Sequence, residues 1–265
     1  MSRQVAQRRF RMRNNRKPGR TRMAALASTN TGTTLTVVMP AYNEERLIAA
    51  AVGEIQCQVL DRVSGSNLIV VDDGSTDRTG ETLDGLSASD SRISVIHQRN
   101  GGHGAAVVKG LDAATGEFVF LVDSDRQIPA EAFHLLWAEC EGNDGAFGVR
   151  RNRQDPATRL VLTKAVRWAI SVIFGTKIKD ANAPFKVFRR SVWLEARSFI
   201  PLGTLAPSLM LAIFARNRGL RIPEVDVHHR ERPHGKSTIR HWKLLKFCCR
   251  AFGQLLHFSK RIQRK

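Results

Sequence analysis

The apolar run Phe118–Val122 ends in two carboxylates, Asp123 and Asp125, with an amide close behind at Gln127, in the segment DSDRQIP. Two acids this close repel each other unless a positive group lies between them. Oxygen donors at this spacing suit a hard divalent cation, Mg2+ or Mn2+, which in turn commonly bridges to a substrate diphosphate. A polar turn capping the helix after Pro129 would use the same residues, and D-x-D spacing alone leaves both roles open. Asp72-Asp73-Gly74-Ser75 poses the same choice. Asp-Gly is a turn signal and Ser or Asp can cap the next helix, whereas Asp72 could instead accept hydrogen bonds from a base imide or a ribose. The Gly101-Gly-His-Gly104 loop could bring backbone amides to a phosphate or could simply turn the chain.

These segments must be placed by what precedes them. Apolar runs at 35–39, 67–71, 93–96, 118–122 and 145–149 read as strands. They alternate with helical patterns at 44–55, 78–86, 104–114 and 130–140, which implies βαβ units and a parallel sheet. Near-continuous apolar strands agree, because parallel strands are buried on both faces. Ligands bind such sheets at the carboxyl ends of the strands. The tips at 40–44, 72–75, 101–104 and 123–127 are therefore expected along one edge. Further on, helices are expected at 160–174 and 207–217, a strand at 221–229, and an amphipathic helix at 239–260.

The 265 residues suffice for one sizeable core. The net charge of +18 is concentrated at the ends: residues 1–22 hold eight arginines, Lys17 and no acid, and residues 228–265 hold eleven Lys or Arg against Glu231 alone. Such blocks attract polyanions, either nucleic acid or anionic lipid. Residues 1–32 read as a basic disordered arm and 239–265 as a basic amphipathic helix, with Trp242, Phe247, Phe252 and Phe258 available to an acyl boundary or to the domain itself. No run of about 18 uninterrupted apolar residues occurs, so no transmembrane helix is expected. Cys57, Cys140, Cys248 and Cys249 lack metal-ligand spacing and are expected as free thiols of a reducing cytosol.

The segments VVMPAYNEE, IVVDDGSTDRT, NGGHGAAVVKG and GEFVFLVDSDRQIP, in this order and spacing, resemble the nucleotide-sugar glycosyltransferases of family 2, which have the GT-A fold. The resemblance covers residues 35–150 closely. It continues more loosely through DANAPFKVFRR (180–190) and RPHGKS (232–237), which are similar to acceptor-side motifs of polyprenyl-phosphate sugar synthases such as the dolichol-phosphate mannose and undecaprenyl-phosphate glucose synthases. It implies an α/β GT-A domain over 33–238, a Rossmann-like, mostly parallel sheet flanked by helices. The nucleotide half would be 33–150 and the acceptor half 151–238.

The resemblance also implies roles. A Mg2+ or Mn2+ ion would sit at Asp125 and Gln127. Asp123, beside Ser124, would face the ribose. Pro40, Ala41, Tyr42 and Glu44 would line the nucleoside, and Asp72 would recognise the base next to Asp73 and Gly74. Lys109 is a further donor-side candidate, although burial of its stem on a helix face would explain it equally. Asp180 would act as base or acceptor-orienting group with Arg232 and Lys236 as catalytic cations, and Lys186, Arg189 and Ser237 would hold an acceptor phosphate. The implied reaction is inverting transfer of a hexose from a GDP-mannose or UDP-glucose type donor to a polyprenyl or dolichyl phosphate, by a protein peripheral to the cytoplasmic face of a membrane. A sugar, natural-product or protein acceptor stays open, as does a nucleic-acid-binding protein built on a degenerate transferase domain, although the intact paired acids argue against nucleic acid as a partner. Two departures stand out: Pro184 precedes Phe185 where many lipid-phosphate synthases have Gly, and Arg126 lies inside the metal loop.

Overall fold

The computed structural model describes residues 32–151, 157–230 and 241–263. Most of the expected basic arm, and Arg232, Lys236 and Ser237, lie outside the described residues. A seven-stranded sheet has the order β3-β2-β1-β4-β6-β5-β7. Its strands are β1 (Leu35–Ala41), β2 (Ser66–Asp72), β3 (Ile93–His97), β4 (Phe118–Val122), β5 (Gly145–Arg151), β6 (Phe185–Arg189) and β7 (Glu224–His228). β1 pairs in parallel with β2 and β4, β2 with β3, and β5 with β7. β6 runs antiparallel between β4 and β5, so every strand except β6 points the same way.

Period-two alternation sends the central strands' side chains into two cores. Leu35, Val37, Met39, Phe118, Phe120 and Val122 pack under α1 (Ile48–Ile55), α2 (Thr79–Ser89) and α4 (Phe133–Trp137). Val38, Val119 and Leu121 pack on the other face against α3 (His103–Ala113), α5 (Ala157–Phe174), α6 (Arg190–Arg197), α7 (Pro207–Asn217) and α8 (His241–Ile262). α7 is buried from Pro207 through Ala215, which explains its almost wholly apolar first turns.

The parallel elements follow the sequence pattern closely. The helix expected at 130–140 is shorter, a 3-10 turn at Ala130–Ala132 followed by α4. β6 and α6 were not anticipated. In the described part of α8, Leu255, Phe258 and Ile262 are buried, and Phe258 lies 6.0 Å from Phe174 of α5, ring centre to ring centre. Phe258 therefore packs on the domain instead of facing an acyl boundary, whereas Phe252 and Leu256 stay exposed. No helix among the described residues is long and apolar enough to cross a membrane. Cys140 is a buried thiol pushed up to about 12 by that burial, and Cys57 is exposed; both are free.

α3 sits close on the sheet because Gly110 has no side chain. A Cβ there would come within 2.4 Å of Val38 Cγ1 and 3.1 Å of Val71 Cγ2. Gly110→Ala should therefore destabilise the domain by about 1–3 kcal/mol through overpacking, read as a lowered urea midpoint with an unchanged m-value.

Candidate active site

The first four parallel strands bring their tips to one edge, as the sheet rule requires. The loops there are bonded to one another in sequence. Asn43 N–H donates to Ser75 Oγ (3.0 Å), Thr76 N–H to Asn43 Oδ1 (2.8 Å) and Glu44 N–H to Thr79 Oγ1 (2.8 Å), joining the β1 and β2 tips. Asn43 holds a left-handed φ of 52° in doing so. Asp73 then joins the β2 tip to the glycine loop. Its Oδ1 accepts from Gln98 Nε2 (2.7 Å) and Gly101 N–H (2.8 Å), and its Oδ2 from Gly102 N–H (2.8 Å). Gly74 permits this crossing: its φ is +69°, and a Cβ would stand 2.8 Å from Asn100 N. Asp72 accepts from Ser75 N–H (3.0 Å) and faces His97 Nδ1 (3.0 Å), whose Nε2 faces Asp84 (2.9 Å). Asp84 and then Asp72 raise the His97 pKa. Both Asp72 and Asp73 are almost fully buried, so each is held by the fold before any ligand arrives.

The glycine loop leads to the acidic tip. His103, the first residue of α3, places Nε2 3.9 Å from Asp123 Oδ1. Asp123 is 27% exposed as a side chain, yet its Oδ1 is buried with no hydrogen-bond partner. Burial pushes its carboxyl well above the usual carboxylate range; His103 opposes the rise and Asp125 adds to it. Asp125 Oδ1 accepts from Gln127 N–H (3.1 Å), and between them Arg126 takes a φ of 58° and turns its guanidinium onto Glu54 of α1. Arg126 thus faces the domain and not a phosphate. Ser124 is buried, Pro40 and Ala41 are buried, and Glu44 is half-buried. Tyr42, the chain's single tyrosine, stands 47% exposed at the β1 tip.

Asp123, Asp125 and Gln127 line one cavity with Arg150, Phe185 and His229. Among the described residues no three His, Cys, Asp or Glu side chains converge as a preformed metal cluster. The donor set nevertheless fits Mg2+ or Mn2+: oxygen atoms from one loop, with an orphaned carboxylate oxygen beside them.

The expectations for Arg189, Lys186 and Asp180 on the acceptor side, and for Lys109 on the donor side, need correction. Arg189 pairs with Phe118 at the start of β4, because β6 is antiparallel. It therefore lies at the opposite edge of the sheet, bound to Glu117 and stacked 4.6 Å from the Phe118 ring centre, and does not reach the site. Lys186 is completely buried, with its ammonium on Ala181 O, Ala183 O and Ser208 Oγ, and cannot contact a bound phosphate directly. Lys109 is exposed on α3 and lines a separate groove with Leu202 and Gly203. Asp180 is brought to the site, but as the partner of Arg150, at 2.7 Å (Nε) and 2.9 Å (Nη2).

Arg150 and His229 were missed. Arg150 lies at the carboxyl end of β5 and His229 just after β7, strands that run parallel to β4. The rule that located the first four tips would have found these two as well, had the strand directions beyond residue 150 been legible.

The profile of glycosyl transferase family 2 matches residues 36–194, more than half of the chain. The chain is similar to undecaprenyl-phosphate 4-deoxy-4-formamido-L-arabinose transferases. It is 30% identical over 214 residues to that of Pseudomonas aeruginosa (80% of this chain, 62% of that protein). It is 32% identical over 212 residues to that of Aeromonas hydrophila (77% and 62%). The chain thus spans 62% of the length of these relatives. Among solved structures, it matches glucosyl-3-phosphoglycerate synthase of Mycobacterium tuberculosis in complex with UDP at a TM-score of 0.68 and 23% identity, covering 92% of this chain and 86% of that one. The complex of that enzyme with Mn2+, UDP and phosphoglyceric acid matches at 0.68 and 22%, covering 92% and 84%. At this identity the structural likeness establishes the fold, which is GT-A. With the family's profile lying across the described strand tips, the chain belongs to glycosyl transferase family 2.

Proposed function

We propose that this protein transfers a hexosyl group, with inversion, from a nucleotide-diphosphate sugar to a polyprenyl phosphate. The observation that carries this reading is the cavity in which the Asp123–Gln127 loop faces Arg150, so that a site for a diphosphate-bound cation and a guanidinium suited to phosphate share one space. The donor's base would stack on exposed Tyr42, with Asp72 and Asp73 fixing the loop it rests on. A divalent cation on Asp125 and Gln127, when bound, offsets the charge that develops on the departing diphosphate.

The acceptor oxygen forms its bond to the anomeric carbon from the face opposite the breaking carbon–diphosphate bond, giving a glycosyl polyprenyl phosphate and a nucleoside diphosphate. A phosphate is already an anion at neutral pH, so no base has to take a proton from it. Asp180 is then better used as found, gripping Arg150 through two hydrogen bonds and aiming it. Arg150 offsets the repulsion between the acceptor phosphate and the donor diphosphate, and Arg232, Lys236 and Ser237 are proposed to assist. A lipid acceptor agrees with the surface of α5 and α8, whose sequences contain Lys and Arg but no acid and which expose Trp168, Val172, Phe252 and Leu256.

Incubation with radiolabelled GDP-mannose or UDP-glucose, Mn2+ and a polyprenyl phosphate should yield a chloroform-extractable product, and Asp125→Ala should reduce that yield by at least about a hundredfold. Label that stays in the aqueous phase, attached to a soluble acceptor, would replace the lipid reading. Asp73→Asn should weaken nucleotide binding by about tenfold or more and lower stability by about 1–3 kcal/mol, because an amide cannot accept from all three of its donors; calorimetric titration and urea unfolding read the two effects separately. Arg189→Ala, on the far edge, should leave turnover within about twofold and change only stability.

A further inference from the structure

We infer that Lys186 is a positioning residue: its ammonium ties the 180–184 turn to α7 and so fixes the wall that receives the acceptor phosphate. What the wall receives rests on the function proposed above; the tether does not.

Lys186 is fully buried, and its three acceptors are all neutral: the carbonyls of Ala181 (3.1 Å) and Ala183, and Ser208 Oγ (2.8 Å). Ser208 Oγ donates in turn to Ala183 O (3.3 Å), closing a small network between the turn and the first turn of α7. Its Nζ also lies 5.3 Å from the Phe147 ring centre. Burying a cation without a carboxylate in contact is expensive, and a methionine of similar length would fill the space without that desolvation. Burial accordingly pushes the ammonium down, to about 7, with Asp180 and Asp123 holding it up from a distance. The charge is therefore poorly explained as core filling.

The turn it binds joins the two walls of the cavity. At one end Asp180 grips Arg150, and at the other Pro184 and Phe185 line the cavity directly. Three residues separate Asp180 from Pro184, and two of their carbonyls go to Lys186. Without the ammonium the Ala181 carbonyl would be buried and unmet and the Ala183 carbonyl would keep only the bond from Ser208, so the turn would rearrange. The rearrangement would move Arg150 and Phe185 together while leaving the nucleotide loops on β1–β3 in place. α7 is the natural anchor, since nine of its eleven residues are buried.

Hydrogen exchange on the whole protein, wild type against Lys186→Met and Ser208→Ala, tests the tether without assuming a reaction. Peptides covering 180–184 should exchange about tenfold faster in Lys186→Met, and peptides of β1 and β2 should not change. In the lipid-acceptor assay, KM for the polyprenyl phosphate should rise about tenfold or more, whereas nucleotide affinity stays within about twofold; Ser208→Ala should show about a threefold acceptor effect. Unchanged exchange at 180–184 in a folded Lys186→Met overturns the inference, as does nucleotide affinity falling in step with acceptor KM. If Lys186→Met does not fold, Ser208→Ala decides by the same peptides. A loosened turn in a protein that glycosylates no lipid phosphate, wild type included, keeps the tether and discards the proposed acceptor.

Discussion

The site depends first on the buried carboxylate of Asp73. It accepts three hydrogen bonds, two of them from the consecutive amides of Gly101 and Gly102, just before α3. A carboxylate in that position does two things at once. It satisfies amides that the start of a helix leaves unpaired, and it adds negative charge where the helix dipole favours it. It also locks the β2 tip to the β3–α3 loop, and so aims His103 at Asp123. The β1 tip is joined to the β2 tip through Asn43 and Ser75. The first three tips are thus one bonded rim, and the acidic loop stands beside it, with Asp123 3.9 Å from His103.

The second constraint is the direction of β6. Because it runs against β4, the motif DANAPFKVFRR is stretched across the sheet from the site edge to the far edge. Its beginning, at Asp180 and Pro184, stands at the cavity; its end, at Arg189, lies beside Phe118, some four residues of strand away, roughly 13 Å. One strand therefore divides a run of cations that looks uniform in sequence into a buried tether, Lys186, and a distant surface pair, Arg189 with Glu117.

What was legible in the sequence follows from this. β1 to β4 are apolar runs closed by polar tips, and parallel strands buried on both faces declare themselves that way. Their alignment along one edge needs no further information, so the grouping of Tyr42, Asp72, Asp73, Asp123 and Asp125 could be foreseen. β6 could not: Phe185-Lys-Val-Phe-Arg189 alternates as a strand does, but nothing local states its direction or its insertion between β4 and β5. The roles expected of Lys186 and Arg189 failed for that reason, and Arg150 and His229 were overlooked for the same one. Side-chain burial was equally hidden, since a lysine among Phe and Val is normally expected to snorkel outward, whereas this one turns in toward two carbonyls.

The most direct test of the central claim, that the bonded strand tips form a cation-dependent nucleotide site, is calorimetric titration of the protein with UDP and with GDP, each with Mn2+ and with EDTA. The account predicts binding of one nucleotide in Mn2+ and a loss of at least about tenfold in affinity with EDTA, with Asp125→Ala behaving in Mn2+ as the wild type does in EDTA. Affinity for both nucleotides that is absent, or that is unchanged by removing the cation, would contradict it.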